Sequence, residues 1–93
     1  MDPIYPARSW QGVGKELGLD FNVLKTIADF CVEARSLSEI AEQVGLSDRD
    51  KMKRKYIDPL LGKYFEMTIP DSPNNPGQKY YLTASGKALL NND

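Results

Sequence analysis

Five basic side chains crowd into eight residues of this chain: Arg49, Lys51, Lys53, Arg54 and Lys55, against only Asp48 and Asp50. That stretch carries +3, whereas residues 1–47 sum to −3 (four bases, seven acids) and residues 56–93 to −1 (three bases, four acids). The whole chain is at −1, so its positive charge is local. The chemistry open to such a cluster is the neutralisation of phosphate oxygens, which supplies most non-specific affinity for nucleic acid. A second polar group, Asn74, Asn75, Gln78 and Lys79, can donate to the same oxygens, and Asn or Gln can also read adenine edges.

Other chemistry is thinly represented. The chain has no histidine, which removes His-dependent metal sites, His-based triads and the commonest general base. The single Cys31 excludes a Cys-cluster zinc site and an internal disulfide. No paired acidic motif stands out, so the chain reads as a non-enzyme with no metal and no cofactor. The G-x-G at Gly12–Gly14 has no strand before it and is not a dinucleotide fingerprint. No run approaches the ~18 apolar residues of a membrane span, and the start of the chain lacks a signal peptide's apolar centre. The expectation is a soluble, cytoplasmic protein without a membrane partner.

The elements that must position these side chains can be read from spacing. Residues 1–19 hold Pro3, Pro6, Gly12, Gly14 and Gly18 and predict an N-terminal arm or a marginal helix. Its Trp10, Val13 and Leu17 share a face, and Trp10 packs on the domain that residues 20–93 form. Glycines 12 and 14 each disfavour a helix there by about 1 kcal/mol. A firm helix follows from about Asp20 to Ala34, with Leu24, Ile27, Ala28, Cys31 and Ala34 on its inner face. Cys31 lies on that stripe, as a small buried hydrophobe would.

Ser36 and Glu39 have capping-box spacing, and Gly45 is placed to end the next helix in the left-handed conformation. Leu46 is expected in the core. Ser47 with Asp50 repeats the cap and opens a third helix from Asp48 to about Lys55. Two capped helices across a tight Gly45-Leu46-Ser47 turn make a helix-turn-helix. In the third helix Met52, Tyr56 and Leu60 point inward, while Arg49, Lys53 and Arg54 face water, flanked by Lys51 and Lys55. Pro59 removes the amide that would bond the Lys55 carbonyl, which predicts a kink or a tightened turn before Gly62.

Two short apolar runs come next, Tyr64–Ile69 and Lys79–Thr83. Between them sit Pro70, Asp71, Pro73, Asn74, Asn75, Pro76 and Gly77. Proline cannot sit inside a paired strand, so this segment is a stiff projecting loop. Phe65, Met67, Ile69, Tyr80 and Leu82 alternate to one face and Tyr81 to the other. Thr83 to Leu90 reads as a short capped helix, and Asn91 to Asp93 as a fraying end. The fold class is therefore α+β: a winged helix-turn-helix with a three-helix core, a two- or three-stranded β wing and a short C-terminal helix.

Tyr56–Leu61, read Y-I-D-P-L-L, and Met67–Lys87, read M-T-I-P-D-S-P-N-N-P-G-Q-K-Y-Y-L-T-A-S-G-K, carry a family resemblance. They resemble the C-terminal winged helix of bacterial Fic-domain proteins (filamentation induced by cAMP). They also resemble that of the Schlafen-type ATP-binding proteins labelled RecG-like. The likeness covers about residues 20–90. It implies a DNA-binding, transcription-regulating or otherwise regulatory accessory domain attached to an upstream catalytic domain. Two departures stand out. The stretch between Leu61 and Met67 is one residue shorter than the usual pattern, and the histidine required by the Fic catalytic motif is absent.

Two functional readings follow. In the first, the third helix enters the major groove of double-stranded DNA with Arg49, Lys53 and Arg54 leading, while Asn74, Asn75, Gln78 and Lys79 follow the neighbouring backbone. Against it, Asp48, Asp50, Asp58 and Asp71 dilute the charge. In the second, the domain is a homodimerisation or autoinhibitory docking module that uses exposed Trp10, Tyr64 and Tyr81, since aromatics favour interface centres.

Overall fold

The computed structural model describes residues 8–92. Expectations for residues 1–7 and for fraying at Asp93 lie outside the described residues. The elements run α1 (Trp10–Leu17), α2 (Phe21–Phe30), α3 (Leu37–Val44), α4 (Arg49–Met52), β1 (Phe65–Met67), β2 (Tyr80–Leu82) and α5 (Ala84–Leu90). A π-helical turn (Lys53–Ile57) and a 3₁₀ turn (Asp58–Leu60) prolong α4. The class is α+β, in the order of a winged helix.

Residues 10–17 form a regular helix because tertiary packing outweighs the glycines. Ser9 caps it by accepting from the Gly12 amide, and Trp10 and Val13 are buried in the common core. The Trp10 ring meets Tyr64 edge-on and Phe65 at a tilt, each with centroids 5.5 Å apart. Its indole Nε1–H donates to the Gly86 carbonyl at 3.1 Å. Gly86 is needed there: a Cβ would lie 2.5 Å from the Tyr64 carbonyl oxygen and 3.0 Å from Leu82 Cδ2. The first helical segment is thus tied to the last.

The inner stripe of α2 is as spaced in the sequence, with Leu24, Ile27, Ala28 and Cys31 buried. The helix stops at Phe30, four residues before the predicted end, because the chain turns to pair with the wing. Arg35 and Tyr80 exchange backbone hydrogen bonds of 2.9 and 2.7 Å, and the Leu82 amide donates to the Cys31 carbonyl at 2.9 Å. Among the described residues the sheet itself has two strands, and this bridge occupies the place of a third. Burial pushes the Cys31 thiol up to about 12, against an opposing pull from Arg35. It behaves as the small hydrophobe expected.

The capping box of α3 forms in both directions. Glu39 N donates to Ser36 Oγ at 3.2 Å, and Ser36 N donates to Glu39 Oε1 at 2.9 Å. The Ser36 backbone N–H holds the Glu39 carboxyl below its ordinary range. Gly45 ends α3 with φ 72°, a conformation only glycine adopts without strain. Two local expectations need correction. Asp48, not Ser47, caps α4, accepting from Lys51 N at 3.0 Å. Leu46 is 37% exposed rather than in the core, because its amide is held by the Ala41 carbonyl in the turn and its side chain is carried outward.

The helix that bears the basic cluster is irregular. α-Helical geometry ends at Met52, and the Asp58 amide reaches back five residues to the Lys53 carbonyl. Pro59 explains this. An α-helix would drive its ring into the Lys55 carbonyl and leave that carbonyl without a donor, so the chain widens before the proline and tightens across it. The widening keeps Met52, Tyr56, Ile57 and Leu60 all buried. After Gly62 the chain enters β1, which pairs antiparallel with β2 in the register Phe65–Leu82, Glu66–Tyr81, Met67–Tyr80. That register carries out the predicted alternation. Asn92 Nδ2 donates to the Arg8 carbonyl at 2.6 Å, so Asn92 is tied to the start of the described chain. Among the described residues no helix is long and apolar enough to cross a membrane.

Candidate functional site

The loop between β1 and β2 is a chain of short turns. Ser72 N donates to Ile69 O (3.2 Å), Asn75 N to Ser72 O (3.0 Å) and Gln78 N to Asn75 O (2.9 Å). Asn75 Oδ1 accepts from Gly77 N at 2.7 Å. This is the stiff wing expected, and it folds over the flank of α4. The wing, α4 and the N-terminus of α3 enclose an open cleft of about 360 Å³. Its walls include Arg49, Asp50 and Arg54 on one side, Pro73, Asn74, Asn75 and Pro76 on the other, and Ser36 and Ser38 at its head.

Within this cleft the proposed DNA contacts divide. Arg49 and Arg54 are exposed, and neither pairs with a carboxylate among the described residues. Arg49 is aimed by a 2.6 Å hydrogen bond from Nη1 to Ser38 Oγ. Asn74 and Asn75 are exposed at the tip. Asn75 still has its Nδ2 donors to offer, because its hydrogen bond to Gly77 uses only Oδ1. Lys79 is exposed and lies close enough to Glu39 to lower that carboxyl's pKa. Lys51 and Lys55 are exposed on the opposite flank of α4, where they border a groove of about 320 Å³ with Leu46, Met52 and Tyr56. Lys55 Nζ stands 5.5 Å above the Tyr56 ring. The five cations therefore split across two flanks.

Two residues are not where the sequence reading put them. Lys53 does not face open water: its Nζ is 2.7 Å from Asp58 Oδ1, with the lysine side chain only 27% exposed. The π turn is the reason. In an α-helix residues i and i+5 lie on different sides, whereas a widened turn stacks them, so Asp58 is brought over Lys53.

Gln78 is buried at 6% exposure, and its amide is fully engaged. Oε1 accepts from Ile69 N (2.9 Å), and Nε2 donates to Ile69 O (2.5 Å) and Ser72 O (3.2 Å). It knits the wing and has no donor left for phosphate. Gln78→Ala is expected to strand those loop groups and lower stability by about 1–3 kcal/mol. A denaturant melt reads this loss, and an unchanged midpoint would remove Gln78 as the wing's internal brace.

The aromatics expected at a protein interface are also relocated. Trp10 is 0% exposed and Tyr64 6%, both taken by the core, while Tyr81 is half-buried beside Glu66. Conversely, Ser38 and Tyr80 line the cleft without having been singled out for it. Ser38 was hidden behind the capping role of its neighbour Ser36. Strand alternation predicts Tyr80 in the core, yet a tyrosine at an inward position carries a hydroxyl that needs a partner, and that is the available signal.

Residues 22–83, two thirds of the chain, match the family model described as the filamentation induced by cAMP protein Fic-like, C-terminal domain. No curated protein and no solved structure matches the chain.

Proposed function

The chain belongs to the Fic-like C-terminal domain family, an accessory part of larger proteins, and on that premise we propose that it is a non-catalytic DNA-binding module. α4 enters the major groove of a duplex, and the wing lies along the adjacent backbone. The observation that carries this reading is the cleft itself. Two arginines that pair with no carboxylate among the described residues face the exposed amides of Asn74 and Asn75, on a braced wing, across one cleft. Arginine presents a planar fork of donors suited to phosphate oxygens. Lys51 and Lys55 are available to the opposite backbone, whereas Lys53, held by Asp58, and Gln78 are not contacts. The module acts in the cytoplasm, where bacterial DNA is found.

Titration of a labelled duplex at low salt tests the proposal. Arg49, Lys51, Arg54 and Lys55 neutralising about four phosphates would give a slope of log K against log salt near −3.6. The dissociation constant at physiological salt should fall in the non-specific range of about 10⁻⁴ to 10⁻⁶ M. A duplex that shows no shift at tens of micromolar protein in low salt would sink this function.

A second reading, self-association, rests on a different observation. Leu46 is exposed and lines the same far-flank groove as Lys51 and Lys55, and residues 1–47 sum to −3. The acidic half of a second copy thus complements Lys51 and Lys55. Sedimentation over a range of concentrations decides it. A dimer abolished by Leu46→Lys supports the reading, and a monomer throughout removes it.

A further inference from the structure

Tyr80 occupies an inward position of β2 and is 1% exposed, yet its hydroxyl has no hydrogen-bond partner. Most buried hydroxyls are paired, because an unpaired one has given up its water for nothing in return. The same residue lines the cleft, which also includes Ser36 and Lys53. Burial holds its phenol above the ordinary range, with Lys53 opposing and Asp58 reinforcing the shift. At neutral pH Tyr80 is therefore a hydrogen-bond donor without an acceptor.

The groups that line the cleft with it are mostly donors too. Arg49 and Arg54 supply guanidinium N–H groups, Asn74 and Asn75 supply amides, and Ser36 and Ser38 supply hydroxyls at the head of α3. Asp50 is the one carboxylate in the lining, while Glu39 is engaged as the α3 cap. A cavity rich in donors, with a further donor unpaired beneath it, matches a ligand that offers several acceptor oxygens and negative charge. Its volume sits at the small end of the range for small-ligand sites.

We propose that this cleft holds a single phosphate group, flanked by Arg49 and Arg54, with the Tyr80 hydroxyl donating to it from below. The hydroxyl is closed to bulk water in the free chain, so the lining side chains that cover it part as the oxyanion enters. The inference deepens the DNA-binding reading and rests on it: the pocket is where one backbone phosphate is seated. A free phosphate ion has the same chemistry, and the test separates the two sources.

Thermal melts of the whole chain are compared for wild type and Tyr80→Phe in chloride buffer, with added inorganic phosphate, and with a short duplex. In chloride, Tyr80→Phe is expected to melt a few degrees higher, because it removes an unpaired buried hydroxyl. Added phosphate or duplex should raise the wild-type midpoint more than that of the variant. Duplex affinity should fall on the order of 10- to 100-fold in Tyr80→Phe, the effect of one hydrogen bond to a charged acceptor, while the salt slope stays unchanged.

A variant that melts lower in chloride would show that the hydroxyl is already satisfied and overturn the pocket. Equal duplex affinity for both proteins overturns the pocket and leaves DNA binding standing. Protection of wild type alone by phosphate, with no duplex shift, upholds the pocket and discards the DNA source.

Discussion

Exchanging Arg49 and Arg54 together for glutamate is expected to lower duplex affinity on the order of 10²-fold at about 50 mM salt. The size follows from counterion release. Two lost phosphate contacts reduce the salt exponent by about 1.8, which at that salt is a factor near 200. Repulsion between the new carboxylates and phosphate adds to the loss. The starting dissociation constant of about 10⁻⁴ to 10⁻⁶ M at physiological salt is roughly 50-fold tighter at about 50 mM, so the variant's shift should move to protein concentrations about 10²-fold higher than wild type needs. Neither arginine is buried, so its cooperative melt should survive, which separates lost binding from lost folding. The matching pair Lys51→Glu and Lys55→Glu probes the other flank. A comparable loss means that α4 straddles the groove. Undiminished affinity confines contact to the wing side and leaves the Leu46 flank to a protein partner. Retention of binding by the arginine pair, with its melt intact, would remove the cleft from the interface.

The largest stability effect is expected at Trp10. Truncation to alanine opens a cavity between Tyr64 and Phe65 and removes the donor to Gly86 O. Buried tryptophan-to-alanine changes cost about 3–5 kcal/mol, against a total of roughly 5–15 kcal/mol for a domain. For a chain of this size the melting midpoint should fall by roughly 15–30 °C. Trp10→Phe preserves most of the ring contact and loses the indole hydrogen bond, so it should lie near 1–2 kcal/mol. Calorimetry of both variants checks the order. If α1 were an arm merely leaning on the domain, alanine would leave the main transition in place. The observed tie between the first helix and Gly86 of α5 predicts that it does not.

Both expectations concern residues whose importance was only partly visible in the sequence. Trp10 was legible as an anchor, but the glycines beside it argued for a marginal helix. Local propensity of about 1 kcal/mol per glycine is small beside the burial of an indole, so packing decided the matter. The basic cluster was legible as a cluster. Its partition, Arg49, Lys53 and Arg54 against the flanking Lys51 and Lys55, was legible as well, but the tie of Lys53 to Asp58 was not, because helical-wheel reasoning assumes one period and Pro59 changes it.

What the residues determined unaided is what short-range rules govern. Ser36 and Glu39 capped α3, Gly45 closed it, the prolines of the wing forbade pairing, and alternation set which faces of β1 and β2 turned inward. Each depends on atoms within a few positions of one another, or on a period that survives in any context. The tertiary structure alone decided that Lys53 is tied to Asp58, that Gln78 is the wing's brace and that Tyr80 lies unpaired below the cleft. Those outcomes depend on a widened turn and on groups six or more residues apart meeting in space. Hydrogen-bond satisfaction across such distances is a property of the packed chain, not of any stretch of it.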